Sequence, residues 1–117
     1  MVNSLFPQYF FLYILLAIVA SLLLSPLAIV FANRIGLMDI PGKSAHKVHA
    51  RPTPLAGGTA LIASMILLIT VFGYWDEPFV RSLALSAGVI YLFGMWDDAR
   101  GLSALPKLLG QTIASVL

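Results

Sequence analysis

The sequence contains no cysteine and little charge. Of its 117 residues, seven are lysine or arginine and five are aspartate or glutamate, so that 10% are charged while 60% are hydrophobic. The absence of cysteine excludes a disulfide framework and a thiolate metal site. About a quarter of the residues in a soluble domain are charged. The composition therefore predicts an integral membrane protein, and the net charge of +2 is too small to indicate nucleic-acid binding.

Long uncharged runs predict an all-α, polytopic transmembrane helical bundle that forms one membrane domain, 1–117. Three runs of 26, 24 and 15 residues divide the chain, and about 20 apolar residues cross a hydrocarbon core of about 30 Å. A cleaved signal peptide would have a positive N-terminal region and a shorter apolar core, so we expect the first helix to be retained. We predict three full spans and the start of a fourth, with helices over about 9–32, 58–74, 79–96 and 104–117.

The fourth predicted helix is too short to cross a membrane. Only ten residues follow Lys107, which corresponds to about 15 Å of helix. We therefore expect the chain to be a portion of a longer protein. A short re-entrant terminal helix is the alternative.

The distribution of basic residues predicts the orientation in the membrane. Arg81 falls on one side of the predicted bundle, beside Asp76 and Glu77. The other six basic residues fall in or beside the predicted loops 33–57 and 97–103: Arg34, Lys43, Lys47, Arg51, Arg100 and Lys107. Basic residues mark the cytoplasmic side of a membrane, so we predict that both loops are cytoplasmic and that the N-terminus is outside.

Two adjacent aspartates, Asp97 and Asp98, stand at the end of the third apolar run. A helix C-terminus disfavours negative charge, and neighbouring carboxylates repel each other. A divalent cation would relieve both costs, since Mg²⁺ is commonly held by one or two carboxylates together with waters and substrate phosphates. The pair therefore suggests a magnesium site at the membrane surface. A solvated helix end explains these two residues, taken alone, equally well.

Lys107 and Gln111 extend this candidate site. They are four residues apart and share a face of the fourth predicted helix. Lys107 also lies near the start of that helix, where anions are favoured. With the two aspartates they form a candidate pocket for phosphate and metal. An anchor at the membrane boundary is the simpler role for Lys107.

The first loop, residues 39–58, is long for a connection between helices, and long ordered loops are often functional. His46, Lys47, His49 and Arg51 form a cationic cluster that suits a diphosphate or a nucleotide. A loop that binds anionic lipid headgroups is the alternative, and two histidines are only a weak indication of a metal site.

Together, these two loops resemble those of the polyprenyl-phosphate N-acetylhexosamine-1-phosphate transferases, also called membrane glycosyltransferase family 4. The family has the pattern D-x-P-x-x-R-K-x-H-x-x-P-x-P-x-x-G-G after the first helix and D-D-x-x-x-L-S-P-x-x-K-L-L-x-Q after the third. The matches to the first pattern are Asp39, Pro41, Lys47, His49, Pro52, Pro54, Gly57 and Gly58, although the segment from Asp39 to His49 is longer than in the pattern. The matches to the second pattern are Asp97, Asp98, Leu102, Ser103, Lys107, Leu108, Leu109 and Gln111. The resemblance covers essentially the whole chain and about the first third of a full-length member.

The resemblance implies an enzyme that transfers a sugar 1-phosphate from a UDP-sugar to polyprenyl phosphate. The products are polyprenyl-diphospho-sugar and UMP, and such reactions serve cell-wall or surface-polysaccharide synthesis. The segment P-T-P-L-A-G-G resembles the N-acetylglucosamine 1-phosphate branch of the family more than the phospho-N-acetylmuramoyl-pentapeptide branch. A multi-pass plasma-membrane protein that uses Mg²⁺, with Mn²⁺ as an alternative, is also implied, and a homodimer is left open.

By the same resemblance, Asp97 and Asp98 are the catalytic and metal-binding residues. The implied substrate-binding residues are Lys47, His49, Asp39, Lys107 and Gln111. The family carries further acidic and histidine-containing loops beyond this part, so we expect these 117 residues alone to be inactive.

Two other functions are compatible with a small helical membrane protein. A non-catalytic module could bind anionic lipid or a partner through the basic loop, but Asp97 and Asp98 would repel anionic headgroups. A transporter fragment could use Asp97 to couple an ion, but transporters place such acids near the midplane at broken helices. Here every acid falls at a predicted interface or loop, which favours the transferase.

Overall fold

The computed structural model describes residues 6–39 and 52–117, and this part of the chain is mainly helical, as the sequence predicts. Within these residues two short strands lie between the first two helices, and one 3₁₀ turn, Tyr74–Asp76, lies between the second and the third. The elements, in chain order, are α1 Phe6–Arg34, β1 Met38–Asp39, β2 Thr53–Pro54, α2 Gly57–Val71, α3 Pro78–Arg100 and α4 Ala104–Val116.

Two of the described helices, α1 and α3, are long and apolar enough to cross a membrane. Many of their large apolar side chains point outward, with Phe11 82% and Phe79 76% exposed, as a surface in contact with lipid requires. The helix α2 has 15 residues and a length of about 22 Å, less than a hydrocarbon core of about 30 Å. A full span by α2, which would be the third in number, stays a prediction. The N-terminus outside the cell also stays a prediction.

Small side chains bring α1 and α2 together. Ala28 and Ala32 on α1 pack with Ala56 and Ala60 at the start of α2, and Leu37 completes this buried cluster. The members on each helix are four residues apart, so they lie on one face. Small residues allow helix backbones to approach closely in a membrane, where the hydrophobic effect does not drive helices together.

A short antiparallel ladder joins the two ends of the first loop. Met38 pairs with Pro54 and Asp39 pairs with Thr53, and the Leu55 N–H donates to the Leu37 carbonyl oxygen at 3.0 Å. This ladder lies inside the predicted loop 33–57. Prolines favour extended backbone in the residue before them, which explains why the segment before Pro54 pairs as a strand.

The helix α3 extends further than the prediction of 79–96, so Asp97 and Asp98 lie in its last turn and not in a loop 97–103. Gly101 ends the helix in the left-handed conformation, with φ +65°, and its N–H donates to the Asp97 carbonyl oxygen at 2.7 Å. Such a glycine is a common helix C-terminus. The connection to α4 is thereby reduced to residues 101–103.

The ends of α2 also differ from the predicted range 58–74. The helix begins at Gly57 and ends at Val71, because Gly73 adopts the left-handed conformation, with φ +68°, and the 3₁₀ turn follows. The helix α1 extends to Arg34, two residues beyond the predicted end. A basic residue in a last helical turn is favoured by the helix dipole.

The contact between α3 and α4 depends on Gly110. The Phe93 ring lies directly against its backbone, and a Cβ atom on residue 110 would lie 2.5 Å from the Phe93 Cγ atom. Gly110 and Ala114, one turn apart, are the buried residues of α4. This contact sets the spacing between the two helices.

Gly110→Ala is expected to destabilise the protein, because overpacking costs about 1–3 kcal/mol and exceeds the gain of about 1 kcal/mol in helix propensity. Gly88→Ala is a matched control, since a Cβ atom there meets nothing within 4 Å. The thermal midpoint of the purified protein in detergent should fall for Gly110→Ala and stay level or rise for Gly88→Ala. Equal midpoints for both variants would contradict the packing argument.

Candidate active site at the ends of α3 and α4

Both carboxylate oxygens of Asp97 have partners on the α4 side of α3. The Lys107 ammonium lies 2.9 Å from Oδ2, and the Leu102 backbone N–H donates to Oδ1 at 2.8 Å. Leu102 belongs to the three-residue connection, and Lys107 lies in the first turn of α4. The carboxylate therefore fixes the end of one helix, the connection and the start of the next helix relative to one another.

The ion pair matters more for geometry than for stability. Asp97 and Lys107 are 29% and 47% exposed, and exposed ion pairs contribute little to the free energy of unfolding. Asp97 lies at the C-terminus of α3, which disfavours negative charge, but next to the N-terminus of α4, which favours it. Lys107 lies at the N-terminus of α4, which disfavours positive charge, but next to the C-terminus of α3, which favours it. The pairing thus holds an anion and a cation together where α3 and α4 meet.

A groove of about 150 Å³ lies between α3 and α4. Asp97, Lys107 and Gln111 provide its polar lining, while Ile90, Phe93, Gly94 and Gly110 provide the apolar part. The structure thus brings together three of the residues that the sequence predicts for the site. A cation, a carboxylate and an amide side by side can bind a group that carries both phosphate and hydrogen-bonding atoms.

Asp98 lines a different space. A second cavity, of about 230 Å³, lies between α2 and α3 and is lined by Leu37, Leu55, Gly58, Thr59, Ile90, Tyr91, Gly94, Met95 and Asp98. Successive residues of a helix point about 100° apart, since a turn holds 3.6 residues. The two adjacent aspartates therefore line two adjoining grooves, which share Ile90 and Gly94 in their linings.

The walls of this second cavity are held by residues that the sequence analysis missed. Thr59 on α2 and Tyr91 on α3 share a hydrogen bond of 3.0 Å between their hydroxyl oxygens, and Tyr91 also donates to the Met95 sulfur at 3.5 Å. Gly58 leaves room for the Tyr91 ring. The only sequence signal is a polar group within an apolar run, which identifies neither its partner nor the cavity.

The predicted residues of the first loop are only partly within the described structure. Asp39 is the last residue of β1 and pairs with Thr53. Lys47 and His49 lie outside the described residues, as does His46. The predicted substrate-binding roles of Asp39, Lys47 and His49 therefore stay predictions.

The carboxylates fit a magnesium ion by their chemistry. One or two carboxylates are the usual protein ligands of Mg²⁺, which completes its shell with waters and substrate phosphates, and Asp97 with Asp98 supplies that number. Across residues 6–39 and 52–117 there is no group of three or more histidine, cysteine or acidic residues that could hold an ion by itself. The magnesium site stays a prediction, and it would depend on phosphate oxygens from a substrate.

The chain is similar to part of several curated proteins named decaprenyl-phosphate N-acetylglucosaminephosphotransferase. The protein from Mycolicibacterium smegmatis is 39% identical over 97 residues, which is 75% of this chain and 23% of the relative. The protein from Mycobacterium tuberculosis is 37% identical over 95 residues, with 74% and 23% covered. The protein from Mycobacterium leprae is 36% identical over 97 residues, with 75% and 24% covered. No family model and no solved structure matches the chain.

The matched region is about a quarter of the length of these relatives, less than the third that the two motifs suggest. The similarity agrees with the resemblance of the two loop patterns, which lie in the expected order along the chain. It also agrees with two helices that are long and apolar enough to span a membrane. The chain is thus a membrane protein sequence, and it belongs to the family of polyprenyl-phosphate N-acetylhexosamine-1-phosphate transferases.

Proposed function

We propose that this chain forms part of an enzyme that transfers N-acetylglucosamine 1-phosphate from UDP-N-acetylglucosamine to a polyprenyl phosphate. The observation that carries the proposal is the 36–39% identity to the named phosphotransferases. An oxygen of the lipid phosphate bonds to the β-phosphorus of the nucleotide sugar. The bond from that phosphorus to the oxygen bridging to the α-phosphorus breaks, and the bridging oxygen leaves with UMP. The other product is polyprenyl-diphospho-N-acetylglucosamine.

The ends of α3 and α4 suit a reaction between two anionic substrates. Lys107 supplies positive charge for a phosphate, and Gln111, on the same groove, supplies amide donors for oxygen atoms. Mg²⁺, or Mn²⁺ in its place, would be held by one carboxylate of the aspartate pair together with the phosphates, since one or two carboxylates suffice, and would neutralise charge on the diphosphate. The other residues of this part of the chain bind and orient the two substrates, because positioning supplies much of the catalysis in phosphoryl transfer.

The proposed location is the plasma membrane, with the ends of α3 and α4 facing the cytoplasm. The asymmetry of the basic residues supports this orientation. A lipid phosphate is anchored in the membrane, whereas a nucleotide sugar arrives from water. The site must therefore lie at the surface of the bilayer, and Asp97, Asp98 and Lys107 all lie at helix ends.

The first test measures sugar-phosphate transfer by the protein that is encoded by the complete reading frame containing this chain. Membranes that contain the protein should convert radiolabelled UDP-N-acetylglucosamine and undecaprenyl phosphate to labelled lipid and UMP. Asp98→Asn should lower the rate by about 100-fold or more, because it removes a charged group from the site. Asp76→Asn, at the opposite end of α3, is the matched control and should leave the rate unchanged.

Wild-type membranes that make no lipid-linked sugar would contradict the proposal and favour a lipid-binding module. A second expectation is that the purified 117 residues alone release no UMP. Activity of that short protein would show that the groups in this chain are sufficient, contrary to the expectation that the nucleotide side of the site lies elsewhere.

The orientation can be tested with single cysteines, since the chain has none of its own. Asp76→Cys and Ser103→Cys place one thiol at each end of α3, both at exposed positions. A membrane-impermeant maleimide added to intact cells should label Asp76→Cys and should label Ser103→Cys only after the cells are opened. The reverse pattern would place the proposed site outside the cytoplasm.

A further inference from the structure

The two adjacent aspartates differ in what surrounds them. Asp97 has one carboxylate oxygen on Lys107 and the other on the Leu102 N–H, and it lines the groove between α3 and α4. Asp98 lines the larger cavity between α2 and α3 and is more exposed than Asp97. The groove and the cavity adjoin at Ile90 and Gly94, but each is lined by one of the two carboxylates.

We propose that the two aspartates have separate roles, in which Asp97 is a positioning residue for Lys107 and Asp98 is the carboxylate that contacts the reactants. The inference rests on the proposed transfer reaction and assigns one function to each member of the pair. The reactants that Asp98 contacts are the phosphate groups of either substrate, together with any Mg²⁺ bound to those phosphates.

The positioning role of Asp97 follows from its contacts. Lys107 has a long side chain that loses rotamer freedom when it is held in one place, and the 2.9 Å contact with Asp97 Oδ2 holds its ammonium at the groove. The contact with Leu102 holds the connection from which α4 starts. The positive end of α4 disfavours a nearby cation. Without the carboxylate, the Lys107 ammonium would therefore leave the groove for water.

The role of Asp98 follows from the cavity that it lines. Leu37 and Leu55, which also line this cavity, are joined by a backbone hydrogen bond of 3.0 Å at the base of the first loop. Gly58, the last glycine of the first family pattern, lines the cavity as well. Asp98 therefore stands where the parts of both patterns meet, whereas Asp97 contacts Lys107 and Leu102 of the second pattern.

Kinetic double-mutant cycles in the complete protein separate the two roles. Asp97→Asn and Lys107→Met should each lower kcat/KM for UDP-N-acetylglucosamine by roughly 10- to 100-fold. The double variant should be no worse than the poorer single variant within about threefold, because residues that act as a unit are not additive. Asp98→Asn combined with Lys107→Met should instead multiply the two losses. Multiplied losses for Asp97 with Lys107, or no further loss for Asp98 with Lys107, would overturn the inference.

A measurement of ligand binding without turnover tests the separate roles independently of the proposed reaction. Mg²⁺ with inorganic pyrophosphate should raise the thermal midpoint of the purified wild-type protein by roughly 2–4 °C, since a ligand of the folded state stabilises it. Asp97→Asn should show the same shift, but only at a higher ligand concentration. Asp98→Asn should show no shift. A full shift in Asp98→Asn would overturn the inference. If wild-type protein transfers no sugar but shows this pattern, the proposed reaction fails and the separate roles stand.

Discussion

Close approach of helices through small residues is the constraint on which the rest of the structure depends. In a membrane the hydrophobic effect does not drive helices together, so close packing and hydrogen bonds between helices must contribute. Ala28, Ala32, Ala56 and Ala60 allow this for α1 and α2, and Gly110 allows it for α3 and α4. These contacts determine where the grooves lie, and the grooves determine which polar side chains face one another.

The candidate site has two adjoining parts along α3, which share Ile90 and Gly94 in their linings. In one part, Asp97, Lys107 and Gln111 line a groove. In the other part, Asp98 lines a cavity whose walls include both ends of the first loop. The motif of two aspartates is therefore not one structural unit, although its members are neighbours in the chain. A reaction that joins a nucleotide sugar to a lipid phosphate needs two binding regions, and the groove and the cavity offer them next to each other.

The sequence predicts the long elements well and the fine geometry poorly. The uncharged runs locate α1 and α3, because a long run with little charge is typical of a helix that can span a membrane. Charge alone places the end of α3 at residue 96, whereas the conformation of Gly101 lets the helix continue to Arg100. The spacing of Lys107 and Gln111 predicts their common face. No local pattern predicts the link between Thr59 and Tyr91, which are 32 residues apart. The different directions of Asp97 and Asp98 follow from helix geometry, but only once α3 is known to continue past residue 96.

The order of charges in the ion pair has a consequence for exchange of the two residues. A lysine at position 97 and an aspartate at position 107 would each suit the dipole of its own helix but would lie beside the disfavouring end of the other helix. A lysine at position 97 could not accept the Leu102 N–H, which donates to Asp97 Oδ1 at 2.8 Å. The order found therefore keeps a backbone hydrogen bond that the exchanged pair would lose, so the two positions are not interchangeable although their charges would still attract.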